Sequence, residues 1–378
     1  MDANSRVALG SLHAGMGHTH VNHLLSTLNV PTVSHTAYKA REREVGRCVE
    51  AVVQESCKNV ICKEKENSQS ERAGMVEMAA SYDMGWQKRG KGHNSSTGHG
   101  AVMGVTTGKV MDYATRCKNC RFCAQPKAKG EQPTTHDCRK NHKGSSKSME
   151  SSVACELWNK APLSNTRYTI YVGDDDTTTL CQMQEKVPYG VEKWSDITHA
   201  KRSLTTRLYN ISQHNKFTDC SPLTQKVINY LAKCFSYCVA QNKGNPVELK
   251  KSLSQIIPHS FGDHSCCNSS WCRFNENPTT YTHKDLPYGK DLYGDKLKKL
   301  LTELFNEYCT DTVVSKLAPC ANSQRNESLN SVIGTKNPKT RYYGGSESSD
   351  FRVACGIAQV NIGYGYISNT LERLNNKH

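Results

Sequence analysis

Apolar positions change their period several times along the chain, and each change marks a different kind of element. Val21 to Leu28 is a short apolar-periodic run stopped by Pro31. Between Tyr38 and Cys57, the residues Val45, Cys48, Val49, Val52 and Val53 recur at helical spacing with charges between them. Residues 1–74 are therefore expected to be a helical segment that closes in a polar, turn-rich linker over 62–74 (CKEKENSQSERAG). The pattern then becomes that of strands. Met75 to Tyr82 is apolar and stops at Asp83, and a Gly-rich polar stretch (GWQKRGKGHNSSTGHG) leads into Ala101 to Val105 and Lys109 to Thr115, joined by Thr106-Thr107-Gly108. This predicts three consecutive antiparallel strands, the first ending in an acid.

Past a Cys/His-rich basic insert over 117–150, a helix is expected around Ser151 to Trp158. RYTIYVG (167–173) reads as a strand running directly into Asp174, Asp175 and Asp176. Thr177 to Lys186 reads as helix, Val187 to Trp194 as a short strand, and the chain from Asp196 as a basic helix carrying His199, Lys201, Arg202 and Arg207. Strand, helix, strand, helix is α/β grammar. From Ser203 to Asn306 the pattern is mostly helical, with Leu297, Leu300, Leu301, Leu304, Phe305 and Tyr308 on one face of the last helix. CANSQRNESLNSVIGTKNPKT and a terminal stretch from Phe351 to Leu374 are helical by pattern, and there is no internal repeat.

Composition narrows the function. The chain has 378 residues, a formal charge of +14, 18 Cys and 15 His. No apolar run approaches the roughly 18 residues of a membrane helix, and MDANSRVALG lacks a basic start leading into an apolar core, so neither a membrane protein nor a secreted one is expected. Eighteen thiols then indicate a reducing compartment and metal ligation rather than a disulfide framework. The positive excess points to a polyanion. Asn94-Ser95-Ser96 matches a glycosylation triplet but carries little weight without export, and His13, His18, His20 and His23 read as polar surface. A thiol-redox protein is disfavoured, because no C-x-x-C sits at a strand-to-helix junction.

Two Cys/His groups have ligand density. Cys120, Cys123, His136 and His142 satisfy the spacing of a C₂H₂ finger, but AQPKAKGEQPTT offers no apolar core and Pro126 and Pro133 oppose a helix there. A structural zinc knuckle of Cys120, Cys123, His136 and Cys138 fits better, pinning a hairpin extension onto the third strand, with Cys117 and His142 as reserve ligands. The second group, in PHSFGDHSCCNSSWC, offers His264, Cys267 and Cys272, with His259 or a Cys from Cys234/Cys238 as the fourth.

Asp83, Asp174 and Glu327 stand out by position. Carboxylates from neighbouring strand ends and an adjacent helix suit one or two hard cations such as Mg²⁺, which permit closely spaced acids to stay ionised. Taken singly, each reads as a turn residue or a solvated helix charge. The stretches YDMGWQKRGKGHNSSTGHGAVMGVTTGKVMDY, HDCRKNHKGSSKSME, YVGDDDTTTL with VPYGVEKWSDITHAKRSL, FGDHSCCNSSWC and NSQRNESLNSVI change that balance. In this order, from about residue 75 to 335, they resemble the Mutator-like transposases, in particular the animal branch carrying a "Mutator-like transposase" domain.

The resemblance implies an α/β fold, an RNase H-like mixed sheet flanked by helices. It also implies a helical insertion between the second Asp and the last Glu, to which the Cys/His reading adds the zinc-knuckle hairpin insert. The expected division is a helical segment over 1–74, the core over 75–202 with its insert at 117–142, the helical insertion over 203–310 and the C-terminal core helices over 311–378. Carried over residue by residue, it implies a DDE site of Asp83, Asp174 with Asp176 as a close alternative, and Glu327, whose N-E-S-L-N resembles the family's N-x-x-E-S-x-N helix. The C-x-x-H of related families falls on Asp196-Ile-Thr-His199, which keeps His199 at the site's edge but departs at the first position. Trp194, His199, Lys201, Arg202 and Arg207 become candidates for DNA contact. Also implied are Mg²⁺ or Mn²⁺ at the acids, structural Zn²⁺, DNA as partner, a homo-oligomer on DNA, no membrane, and a nuclear location. The competing expectation is a catalytically inactive, zinc-stabilised DNA-binding protein derived from a transposase.

Overall fold

The computed structural model describes residues 3–68, 70–87, 95–174, 177–268 and 271–376. The chain forms two compact units, one of residues 1–171, 176–192 and 323–378, the other of 172–175 and 193–322.

The first unit opens with helices α1 (Ala3–His13), α2 (His18–Thr27) and α3 (His35–Asn67), followed by strands β1 (Glu71–Arg72), β2 (Met75–Trp86), β3 (Thr97–Gly104) and β4 (Val110–Cys117). Next come α4 (Arg121–Ala128), α5 (Ser148–Lys160), β5 (Thr166–Gly173), α6 (Thr177–Lys186) and β6 (Glu192–Ser195). The six-stranded sheet has the order β4-β3-β2-β5-β6, with β1 paired to β2 beside this path. β2 runs antiparallel to β3, and β3 antiparallel to β4, as the sequence pattern predicts.

The sheet is covered on both faces, which is why β3 is buried at every position instead of alternating. Ala101, Met103 and Val110 pack with α1, α3 and the C-terminal helices, whereas Tyr82, Met84, Val102 and Met111 pack with Trp158 of α5 and with Tyr168 and Tyr171 of β5. Glycine makes this possible on β3, since a Cβ on Gly100 would lie 2.7 Å from the Tyr82 ring. The same unit closes with α12 (Gln324–Lys336), α13 (Ser348–Ile362) and α14 (Tyr366–Asn375).

Several expectations need correction. The linker over 62–74 is instead the end of α3 followed by β1. Its polar residues are helical because one of them has an internal partner: Glu64 is buried, and its Oε1 accepts the Thr107 N–H of the β3–β4 turn at 2.6 Å. The terminal stretch is two helices, broken at Gly363, whose φ of 78° is open to glycine and costly for other residues. His13 and His18 are half-buried rather than surface residues, with His13 Nδ1 2.8 Å from Tyr366 Oη and His18 Nε2 2.7 Å from the Val33 carbonyl.

The second unit is helical after the end of β6: α7 (Ile197–His214), α8 (Gln225–Gln241), α9 (Pro246–Ser260), α10 (Asp295–Tyr308) and α11 (Asp311–Leu317). Their apolar faces meet in one core that includes Leu204, Leu208, Leu231, Phe235, Leu253, Leu301 and Phe305. Between α9 and α10 lies the loop that carries the second Cys/His group. Among the described residues no helix is long and apolar enough to cross a membrane.

Candidate carboxylate site and metal centres

Asp83 does not end its strand. β2 continues to Trp86, and the ladder with β3 pairs Asp83 with Ala101, Gly85 with His99 and Trp86 with Gly98. The chain after the acid looks like a loop in sequence because Gly85 opens a Gly-rich polar stretch, yet Gly85 is required in the strand: a Cβ there would lie 2.2 Å from His99 Nε2 and 2.6 Å from Asn330 Oδ1.

Ser81, Asp83 and Gly85 share one face of β2 by the two-residue period of a strand. On this face α12 is docked by two asparagines. Ser81 Oγ donates to Asn326 Oδ1 at 2.7 Å, and Asn326 Nδ2 donates to the Ala101 carbonyl at 3.1 Å. Asn330 Nδ2 donates to Asp83 Oδ2 at 2.8 Å, while the Met84 N–H is 2.8 Å from Asp83 Oδ1. The match is metric: two strand residues advance about 6.8 Å and four helix residues about 6 Å. Asn330 Oδ1 in turn lies 3.0 Å from His99 Nε2, and burial pushes His99 down to about 4, so the ring is neutral and Nε2 carries the proton it donates. Glu327 is exposed in the first turn of α12, three residues before Asn330 and hence on the same side of the helix. Sequence reasoning missed Asn326, Asn330 and His99. Their signal is the i, i+4 spacing of the asparagines that bracket Glu327 in N-E-S-L-N.

Asp174 belongs to the second unit. There His199 Nδ1 is 2.9 Å from Asp174 Oδ1, and the buried Lys193 donates from Nζ to the carbonyls of Gly173 and Asp174, each at 2.6 Å. Asp196, where the family pattern has Cys, is the buried N-cap of α7 and accepts from the backbone N–H groups of Thr198 and His199. Asp176 lies outside the described residues. Trp194 is half-buried on β6, and Lys201 and Arg202 are exposed on α7. Arg207 is ion-paired to Glu307 of α10, with its guanidinium 5.9 Å from the Tyr308 ring centre.

The first Cys/His group is assembled as expected. Ligand atoms of Cys120, Cys123, His136 and Cys138 all lie within 4.8 Å of one another. His136 Nε2 is 3.3 Å from Cys120 Sγ and 3.4 Å from Cys123 Sγ, and the sulfurs of Cys123 and Cys138 are 3.6 Å apart. A tetrahedral zinc with bonds of about 2.0 to 2.3 Å has edges of about 3.5 to 3.8 Å, so the donor set fits zinc. His136 Nδ1 donates to the Thr134 carbonyl at 2.7 Å, which leaves Nε2 its lone pair for a metal. Cys138 is drawn down to about 7, chiefly by the Lys140 backbone N–H.

Two details of this insert differ from expectation. It contains α4 rather than a hairpin, and that helix begins directly after Cys120 and includes Pro126. Cys117 and His142 are not ligands: the Cys117 thiol faces the carbonyls of Asn119 and Gly344, and His142 Nε2 lies 3.0 Å from Ser148 Oγ. Arg139, next to Cys138, pairs with Glu50 of α3 at 2.7 Å and with Asp350 of α13 at 3.4 Å, so the knuckle is fastened to helices as well as to β4.

The second group selects His259 as its fourth member. His259, His264, Cys267 and Cys272 present ligand atoms within 4.8 Å of one another, and the Nδ1 atoms of the two histidines are 3.1 Å apart. Burial, then His283 and His264, push His259 down to about 3, and burial with Cys272 pushes the Cys267 thiol up to about 12. Two imidazoles kept neutral by burial, together with the Cys267 thiol that burial holds protonated, lack a positive charge, which a divalent ion supplies. His264, His283 and Asp291 form an adjoining set that sequence reasoning also missed.

A family model described as Mutator-like transposase matches residues 1–272. The matched span contains Asp83, Asp174 and both Cys/His groups, and it stops short of α12 and Glu327. Among curated proteins none matches.

Proposed function

Because the chain belongs to the Mutator-like transposase family, a DNA-binding transposase or a derivative of one, we propose that it carries out metal-dependent DNA strand cleavage and strand transfer on an RNase H-like fold. Asp83, Asp174 or Asp176, and Glu327 are the carboxylates of this reading. They are hard oxygen donors and suit Mg²⁺ or Mn²⁺, which when bound activate the attacking oxygen and stabilise the leaving one.

The observation that carries the proposal is the bond from Asn330 to Asp83. It joins Asp83, which lies inside the matched span, to a helix beyond that span, and the helix bears Glu327. Donors on both Asp83 oxygens fix the plane of its carboxylate. In the other unit His199 Nδ1 lies 2.9 Å from one oxygen of Asp174. The meander of β2, β3 and β4 with β5 on the far side of β2 supports the RNase H-like reading.

In this reading Lys201 and Arg202 neutralise backbone phosphates, and Trp194 and His199 lie along the strand's path. The two Cys/His groups hold structural zinc. The protein acts in the nucleus, as a homo-oligomer assembled on DNA.

The test is nicking of supercoiled plasmid by purified protein in Mg²⁺ or Mn²⁺, beside Glu327→Gln and Asp83→Asn. Cleavage by the parent protein and loss of at least a hundredfold in each variant, with DNA binding retained, is the expected result. Cleavage that persists in both variants refutes the carboxylate assignment. Binding with no cleavage by any form favours the inactive, zinc-stabilised DNA-binding derivative.

A further inference from the structure

An open pocket of about 670 Å³ lies in the helical unit beside the second Cys/His group, which contributes His259 to its lining; neither the carboxylates nor the zinc ligation accounts for the rest. One wall is a stripe on α8, Tyr230, Lys233 and Tyr237, which recur at helical spacing and so face the same way. The other wall is the loop that carries the cluster, with Trp271, Arg273 and Tyr281. Tyr237 is 46% exposed, and Arg273 is exposed, so both are accessible to a ligand.

This wall depends on the metal centre. Trp271 and Arg273 flank the ligand Cys272, and the Trp271 ring centre is 4.9 Å from that of the ligand His259. Tyr281 Oη is 3.4 Å from His259 Nε2 and also 3.4 Å from His283 Nδ1. The four aromatic residues are thus held by helix packing on one side and by the cluster on the other. Lys233 is paired with Asp285 at 2.6 Å, and of the other charged residues in the lining Arg273 and Lys284 are cations and Glu276 an acid, all exposed.

Aromatic faces with cations beside them are the chemistry of base stacking next to a phosphate. The volume lies within the range of about 300 to 1,000 Å³ typical of small-ligand sites, and is roomy for one nucleotide. A paired base has both faces covered within its duplex, so an unpaired base is the form that can enter. We propose that this pocket takes one unpaired base of a DNA strand, with Arg273 and Lys284 at the neighbouring phosphate. The inference rests on DNA being the partner of this family member, and it adds a site for single-stranded DNA separate from the acids.

The experiment measures binding of the full, zinc-loaded chain to a labelled 12-nucleotide single strand, to the same strand with abasic positions, to a blunt duplex of equal length, and to a free mononucleotide. Tyr237→Ala and Arg273→Ala are made at exposed positions, and zinc content verifies their folding. The expected result is a loss of about tenfold in single-strand affinity in each variant and a comparable loss for the abasic strand, with duplex binding within twofold of the parent. Single-strand binding unchanged in both variants overturns the proposal, while plasmid nicking continues to test the carboxylate reading on its own. A mononucleotide that binds as tightly as the strand makes this a site for free nucleotide and overturns the assignment to DNA. If the parent binds neither strand nor duplex, the proposal fails together with the DNA reading.

Discussion

Asn330 can present its amide N–H to Asp83, at 2.8 Å, because its own carbonyl oxygen is engaged by His99 at 3.0 Å. A side-chain amide has no orientation of its own. The histidine donor fixes which end faces the carboxylate. Replacing Asn330 with Ala removes a hydrogen bond to a charged group, typically about 1.5 to 3 kcal/mol. Asn330→Ala is therefore expected to lower plasmid nicking by about tenfold or more with DNA affinity kept, and Asn330→Asp to lower it further by setting a like charge against Asp83. Equal nicking by parent and Asn330→Ala would show that this bond serves packing alone.

His99 also sets a pH dependence of stability. Burial lowers it from an ordinary value near 6.5 to about 4, so between these two values the unfolded chain binds a proton that the folded chain does not. Stability from this residue is fully present above about pH 6.5 and is lost as pH falls toward 4, by about 3 kcal/mol in total. Melting curves from pH 7 to pH 4 should fall more steeply for the parent than for His99→Gln, and parallel curves would contradict this.

Two zinc ions per chain are expected by elemental analysis of the purified protein, with one left in Cys123→Ser and one in Cys272→Ser. Chelation should lower the melting temperature, since metal binding to a folded site is folding free energy. Retention of two equivalents in either variant removes the corresponding centre.

Asp196→Ala should cost about 1 to 2 kcal/mol through loss of the α7 cap, and Asp196→Asn should restore most of it, because both residues cap well. Denaturant titration reads the difference. A variant pair with the same midpoint would assign Asp196 a role other than capping.

Much of this was legible in the chain. The meander, the basic helix α7 and the Cys/His sets follow from period and spacing, which are local properties. What was not legible depends on partners distant in sequence. Glu64 looks like linker polarity until Thr107 is seen to bond it, and Gly85 and Gly98 look like a loop until the ladder pairs them. Asp196 reads in sequence only as a departure from the family's C-x-x-H, whereas the structure has it at the N-cap of a helix. The asparagines of α12 could not be given a task from sequence, since Ser81 and Asp83 lie more than two hundred positions away.

That distance has a consequence for synthesis. A ribosome releases β2 early, yet the helix bearing Glu327 and the amide that holds Asp83 emerge only after the whole helical unit between them has been made. Prematurely terminated chains therefore carry the first acid without its amide partner or the last carboxylate. On the carboxylate reading proposed above, such fragments are expected to be poor nucleases.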